Sequence, residues 1–377
     1  MPKRNDGDER TEPAPQVDSL LRSAVADALR ATGRYTSEYE VVRQVISGSR
    51  MNYVLAARVD GTDASEHVWC RATYPSIDQA LSDRFTLTRE REVIAALSAQ
   101  LDRVPVLLGS SADGTVMIQR YVAEDPGGDR AAAIPRYMRA LDGLHRVDPR
   151  TLPSGWAVPT SARDAVDAEQ QAWSTLASDV LERPSQLAKA ERESGLTDLH
   201  GRLLAILEHL QSTPVPPLVG RPDLVHGDAG RANYLVDTAG EVWLLDWELA
   251  HAGHRYEDYA WIELRGLEQD NEQWCEEVVS RLLADGSTAV DHYEYFRTMI
   301  YFRSVIAIAA RIAAEPLHDF VPYLAQRLDD NELFGWLSAG RGTELASDRT
   351  ATHRAVDATR LDGWQAWSRA LAARVIR

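Results

Sequence analysis

The chain has 377 residues, 44% of them hydrophobic, with a net charge of −16; this is ample for a sizeable core and sets a prior of two or three lobes. The acidic balance argues against broad nucleic-acid binding, which needs clustered positive charge. Cys70 and Cys275 are the only cysteines, which excludes a disulfide framework and a cysteine-based zinc site. No run of 18 apolar residues occurs and the first ten residues lack a signal-peptide core, so a cytoplasmic protein without a membrane partner is expected.

Residues 1 to about 16 are charged, proline-bearing and aperiodic, and are expected to be disordered. Leu20, Leu21, Ala24, Val25, Ala28 and Leu29 recur at helical spacing, with Gly33 as a stop. The pattern then changes to short β-prone runs at 39–46, 53–59 and 67–72. Between the first two lies Ser47-Gly48-Ser49-Arg50-Met51-Asn52. Such a loop is either an ordinary turn or a set of backbone N–H donors folded over nucleotide phosphates, with Gly48 and Ser49 as candidate contacts. The motifs further along favour the second. A helix follows over 83–100, with Phe85, Leu87, Val93, Ile94 and Leu97 on its apolar side and the charge run Arg89-Glu90-Arg91-Glu92. Residues 104–109 and 116–122 give two more strands, and the Asp- and Gly-rich stretch 123–129 is a natural boundary. The division expected is 17–122 and 123–377. Beyond it the chain is mostly helical: 134–147, two or three helices over 160–213, and amphipathic helices from 272 onward. The stretch 296–314 is apolar nearly all round and must be buried.

Residues 224–248 read LVHGDAGRANYLVDTAGEVWLLDWE. Two β-prone runs, 234–237 and 242–245, flank Thr238-Ala239-Gly240-Glu241, which supplies turn chemistry. A hairpin centred on Ala239-Gly240 sets Asp237 opposite Val242, Leu235 opposite Leu244 and Asn233 opposite Asp246. Directly opposed residues have Cα atoms about 4.5–5.5 Å apart. An amide oxygen and a carboxylate then meet beside Asp228. Oxygen ligands of this kind, Asn233 and Asp246, suit Mg²⁺, a hard cation that also takes substrate phosphates. Asp228 can accept the proton of an incoming hydroxyl, which completes the equipment of phosphoryl transfer.

The His226-Gly227-Asp228 turn, Asn233, and the Leu244-Leu245-Asp246-Trp247-Glu248 run together resemble the aminoglycoside phosphotransferase and choline kinase-like family. The later wording, Asp246-Trp247-Glu248-Leu249-Ala250-His251 followed by Glu257-Asp258-Tyr259-Ala260-Trp261, resembles the branch also found fused to acyl-CoA dehydrogenases. The resemblance spans roughly residues 39–314 and implies an α+β, protein-kinase-like fold. Its N-lobe would be a small antiparallel sheet and its C-lobe larger and mainly helical, with ATP or GTP and Mg²⁺ between them. It implies Asp228 as the base, with His226 in the same catalytic loop holding its shape, and Asn233 and Asp246 on the metal. Arg71 would stand where relatives carry the phosphate-clamping cation, unless it is a surface residue of an edge strand. Glu90 would orient that cation, with Glu92 as the fallback. Gln119, Tyr121 and Val122 would lie along the adenine. Glu248 would be a further metal ligand or lie just behind the ligands, Asp258 would cap the next helix or brace the catalytic loop, and His145 would be structural.

Two departures stand out. Gly253-His254-Arg255 replaces the family's Gly-Asp-Pro, and Gly230 stands where relatives often carry a basic residue, with Arg231 one position later. The activity implied is transfer of a γ-phosphoryl group from a nucleoside triphosphate to a hydroxyl of a small molecule: an antibiotic, amino sugar or other metabolite. The dense run Glu257, Asp258, Glu263, Glu268, Asp270, Glu272, Glu276 and Glu277 points to a neutral or cationic acceptor, drawn by an acidic field. A peptide serine or threonine, a hydroxyacyl thioester, or a pseudokinase that only binds nucleotide are the alternatives.

Overall fold

The computed structural model describes residues 21–47, 50–73, 86–126, 132–152, 158–194, 199–230, 233–268 and 272–314. Gly48 and Ser49 of the expected phosphate loop, Arg231, and the first 16 residues lie outside that set. The chain forms two compact units, residues 1–76 with 106–121, and residues 77–105 with 122–377.

The first unit is built on period-2 alternation. Helix α1 (Arg22–Ala31) packs on a five-stranded antiparallel sheet made of β1 (Tyr35–Ser47), β2 (Arg50–Val59), β3 (Ser65–Ala72), β4 (Leu107–Ser110) and β5 (Val116–Arg120), in the order β1-β2-β3-β5-β4. Tyr53, Leu55 and Ala57 of β2, Val68, Cys70 and Ala72 of β3, and Val116 and Ile118 of β5 point to one face. Val25, Ala28 and Leu29 of α1 close over it. In β4, a side chain at Gly109 would press to 2.7 Å from the Ala28 carbonyl oxygen, so only glycine admits the helix this closely. The other face carries two cross-strand rows, Asn52–Arg71–Met117 and Val54–Trp69–Gln119.

The second unit is helical with two short antiparallel strand pairs. Its helices are α2 (Leu87–Leu97), α3 (Ile134–Leu144), α4 (Ala162–Leu181), α5 (Pro184–Ser194), α6 (Leu199–Ser212), α7 (Tyr256–Glu268), α8 (Glu272–Asp285) and α9 (Ser287–Ala314). Side-chain oxygens start two of them: Thr86 Oγ1 accepts from Arg89 N at 3.2 Å and Ser161 Oγ accepts from Asp164 N at 3.1 Å. Ile134, Tyr137, Met138, Leu141 and Leu144 form the buried stripe of α3. Helix α9 packs against α7 and α4, and most of its described side chains are buried, as its apolar composition requires. It also buries two arginines: Arg297 Nε lies 2.8 Å from Glu263 Oε2, and Arg303 pairs with Glu257.

Two strand pairs complete the unit. Strand β6 (Asp223–Val225) pairs antiparallel with β9 (His251–Gly253), and β7 (Tyr234–Val236) with β8 (Val242–Leu244). The first pair was not expected: three residues are too few to show a period.

Candidate active site

The β7–β8 hairpin differs from the sequence expectation by one residue of register. Leu235 faces Trp243 and Tyr234 faces Leu244; Leu245 N donates to Asn233 O at 2.8 Å. Asn233 therefore stands opposite Leu245, and not opposite Asp246. The cause lies in Asp237. Its Oδ1 accepts from Ala239 N and Glu241 N, both at 2.9 Å, and its Oδ2 accepts from Trp243 Nε1 at 2.8 Å. Gly240 N returns to Asp237 O at 2.8 Å, with Gly240 in the left-handed region at φ 78°. This is a three-residue loop closed by a left-handed glycine, where the four residues Thr238 to Glu241 were expected to form the turn. Asp246 itself has φ 62°, the one non-glycine residue with positive φ among those described. Its direction is thus set by a sharp backbone turn and not by strand alternation.

Strand β6 feeds His226, Gly227 and Asp228. Asp258, at the start of α7, accepts from His226 N (Oδ2) and Gly227 N (Oδ1), both at 2.9 Å, and its Oδ2 lies 2.8 Å from His145 Nε2. Burial alone would raise the Asp258 carboxyl, but the His145 and backbone hydrogen bonds outweigh it and hold it below the usual carboxylate range. Of the two roles open to Asp258, this is the brace. His226 is fully buried; its Nε2 donates to Leu245 O at 2.8 Å and its ring tilts against Trp247 at 4.8 Å. Asn233 Nδ2 donates to both Asp228 O at 2.8 Å and Asp228 Oδ2 at 2.9 Å. That fixes the amide so that its carbonyl oxygen points the opposite way. Asn233 is buried and Asp228 half-buried.

Gly227 sits at φ 81°, and a β-carbon there would collide with the Leu249 carbonyl. Gly240 shares the left-handed backbone but has only Arg136 Nη1 near it, at 3.7 Å. Gly227→Ala should therefore cost roughly 2–5 kcal/mol, strain plus overpacking, while Gly240→Ala costs about 1–2 kcal/mol of strain alone. Urea midpoints of the two variants check this; equal losses would show that the Leu249 contact is slack.

The remaining candidates divide between the units. Arg71, Gln119 and Tyr121 belong to the first, where Arg71 is buried opposite Asn52 and Met117 and Gln119 Nε2 lies 3.5 Å from Met117 Sδ. Glu90 and Val122 belong to the second, and Glu90 is buried in the first turn of α2. Next to it, Arg89 Nη2 donates to Ala250 O at 3.3 Å, which ties α2 to the segment after Asp246. Glu248 is buried.

The acidic run needs correction. Glu257, Asp258 and Glu263 are buried and held by Arg303, His145 and Arg297, so they contribute no field at the surface. The Gly253-His254-Arg255 departure has a local explanation. His254 Nδ1 accepts from Tyr256 N at 3.3 Å, standing at the start of α7 where an aspartate would cap it. Burial, helped by the Arg255 charge, pushes the imidazole down to about 3, so it stays neutral and able to accept. Arg255 reaches Asp285 at 3.1 Å.

Among the described residues no three His, Cys, Asp or Glu side chains gather as a self-sufficient metal site. The Asp246 carboxylate and the carbonyl end of Asn233 are hard oxygen donors of the kind that share a Mg²⁺ with phosphate oxygens, while the Asp228 carboxylate is held by the other end of the Asn233 amide at 2.9 Å. A family model described as "Phosphotransferase enzyme family" matches residues 79–298. No curated protein sequence matches the chain. Among solved structures it is similar to an ethanolamine kinase of Plasmodium vivax, at 12% identity over 81% of this chain and 83% of that one, with a TM-score of 0.52. It is also similar to a choline kinase of Cryptosporidium parvum Iowa II, at 14% identity over 85% and 96% of the two chains, with a TM-score of 0.50. At such identities the likeness is one of fold.

Proposed function

The chain belongs to the phosphotransferase enzyme family, and from that membership we propose that it moves the γ-phosphoryl group of ATP or GTP onto a hydroxyl of a small molecule, with Mg²⁺ as cofactor. The observation that carries this reading is the joined pair Asp228–Asn233, in which one amide nitrogen grips both the backbone and the carboxylate of Asp228. Asp228 orients the acceptor hydroxyl and receives its proton as the acceptor oxygen bonds to the γ-phosphorus; the bond to the β-phosphate oxygen breaks and the nucleoside diphosphate leaves. Asn233 and Asp246 would hold the ion, which when bound neutralises phosphate charge. His226, buried and hydrogen-bonded to Leu245 O, keeps the loop in shape.

The test is transfer of label from γ-labelled ATP or GTP to a panel of amino alcohols, amino sugars, aminoglycosides, a hydroxyacyl thioester and a serine peptide. Amino alcohols enter because ethanolamine and choline are named for two proteins of like fold. The expected result is Mg²⁺-dependent labelling of one small alcohol. Labelling confined to the peptide or the thioester, or nucleotide binding with neither transfer nor hydrolysis, would overturn the proposal.

A further inference from the structure

Four ionisable side chains from four separate elements meet at β9: Glu169 of α4, His251 of β9, Glu257 of α7 and Arg303 of α9. Their exposures are 5%, 7%, 0% and 2%. His251 Nε2 lies 3.1 Å from Glu257 Oε2 and 3.8 Å from Glu169 Oε1. Arg303 Nη1 pairs with Glu257 Oε2 and stands 4.0 Å from Glu169 Oε1. Trp173 Nε1 donates to Glu169 Oε1 at 2.6 Å.

Two independent arguments assign the charge on His251. Two carboxylates against one guanidinium leave a negative charge that burial penalises, and a protonated imidazole 3.1 Å from Glu257 Oε2 offsets it. The hydrogen bonding gives the same answer. His251 Nδ1 is 2.7 Å from Leu249 O, which can only accept, so Nδ1 carries a hydrogen. Nε2 faces carboxylate oxygens, which also only accept, so it carries one as well. The ring is an imidazolium.

Two short contacts connect His251 to the loop that carries His226, Gly227 and Asp228. His251 pairs with Val225, the residue immediately before His226. The Leu249 carbonyl that His251 holds is the one packed against Gly227.

We propose that the Glu169–His251–Glu257–Arg303 cluster positions the catalytic loop, that the loop keeps its working shape only while His251 is protonated, and that loss of this proton closes activity as pH rises. The inference rests on the phosphotransferase reading above. The groups facing His251 are consistent with it: Glu169, Glu257 and Arg303 supply the charges. The partner strand β6 offers Asp223, which stands opposite Gly253 and accepts from Arg255 N at 3.1 Å. His254 is neutral, and Tyr295 donates its hydroxyl to Gln170. Burial would lower the His251 imidazole, but Glu169 and Glu257 outweigh it and raise it above its ordinary value. A raised value means the stabilisation is full below the unfolded imidazole's range and is lost as pH rises through the folded one.

The experiment follows the His251 ring and the Gly227 amide by NMR across pH, and kcat on the identified acceptor, in the wild type and in Glu169→Gln. The expected result is one shared midpoint for ring, amide and the fall of kcat with rising pH in the wild type, above the ordinary imidazole value. In Glu169→Gln all three should move down together by about one pH unit, a tenfold weaker hold on the proton. A descending limb of kcat that stays in place while the ring titration moves would overturn the proposal. Should Glu169→Gln not fold, His251→Gln takes its place: it should show reduced kcat at neutral pH and no limb at the wild-type midpoint, and a retained limb would overturn the proposal. The Gly227 amide needs no turnover. If it ignores the His251 titration, the inference fails even in a protein without activity; if it follows the titration and no acceptor is labelled, only the phosphotransferase reading fails.

Discussion

Asp228→Asn should give a folded protein that binds nucleotide as the wild type does and turns over about 10²–10⁴-fold more slowly, the usual contribution of a general base. The amide oxygen replaces the carboxylate oxygen that Asn233 Nδ2 grips at 2.9 Å, and the backbone bond at 2.8 Å does not depend on the side chain. The loop geometry therefore survives, and the missing property is the capacity to take a proton. A loosely bonded transition state would place the loss toward the lower end, because the hydroxyl proton then leaves late. Steady-state kinetics with calorimetric nucleotide affinity checks it. Turnover within about threefold of wild type would remove Asp228 from the mechanism.

Asp246→Ala should act on a different quantity. Removing a carboxylate from the ion should weaken Mg²⁺-nucleotide binding by about 10²-fold, at least the effect seen when a partner of a metal ligand is lost. Affinity without Mg²⁺ should be unchanged. The backbone complicates the choice of variant, since Asp246 occupies the left-handed region at φ 62°. Alanine there adds about 1–2 kcal/mol of strain, whereas asparagine tolerates that conformation and retains an oxygen ligand without charge. Asp246→Asn should fall between wild type and alanine in Mg²⁺ dependence while matching wild type in thermal midpoint. Mg²⁺-dependent affinity unchanged in both variants would sink the assignment of Asp246.

What the sequence made legible follows from the range of the forces involved. The sheet of the first unit could be read because Tyr53, Leu55 and Ala57 alternate strictly with residues of the other face, and Val68, Cys70 and Ala72 repeat the pattern. The β7–β8 hairpin could be read because two β-prone runs flank the turn residues Thr238-Ala239-Gly240-Glu241. Its register could not, because one side chain decided it: Asp237 closes the turn with three hydrogen bonds, and no count of apolar positions anticipates that. The His145–Asp258 contact joins residues 113 positions apart, beyond any local pattern. The buried acidic residues did leave a sign. Arg297 and Arg303 lie inside an apolar helix, and arginines so placed require buried carboxylates somewhere else in the chain.

The Asp258 brace has a consequence for isotope exchange with solvent. Loops that carry chemistry usually open locally and trade their amide hydrogens quickly, far below the free energy of global unfolding. Here the His226 and Gly227 amides donate to a carboxylate with no exposed surface, itself tied to His145. Neither hydrogen can reach water unless α7 releases its first turn. In deuterium oxide these two amides should persist as long as those of the central strands β2 and β3, while the Ala239 amide at the hairpin tip is replaced early. The residues beside Asp228 thus exchange on the timescale of the core.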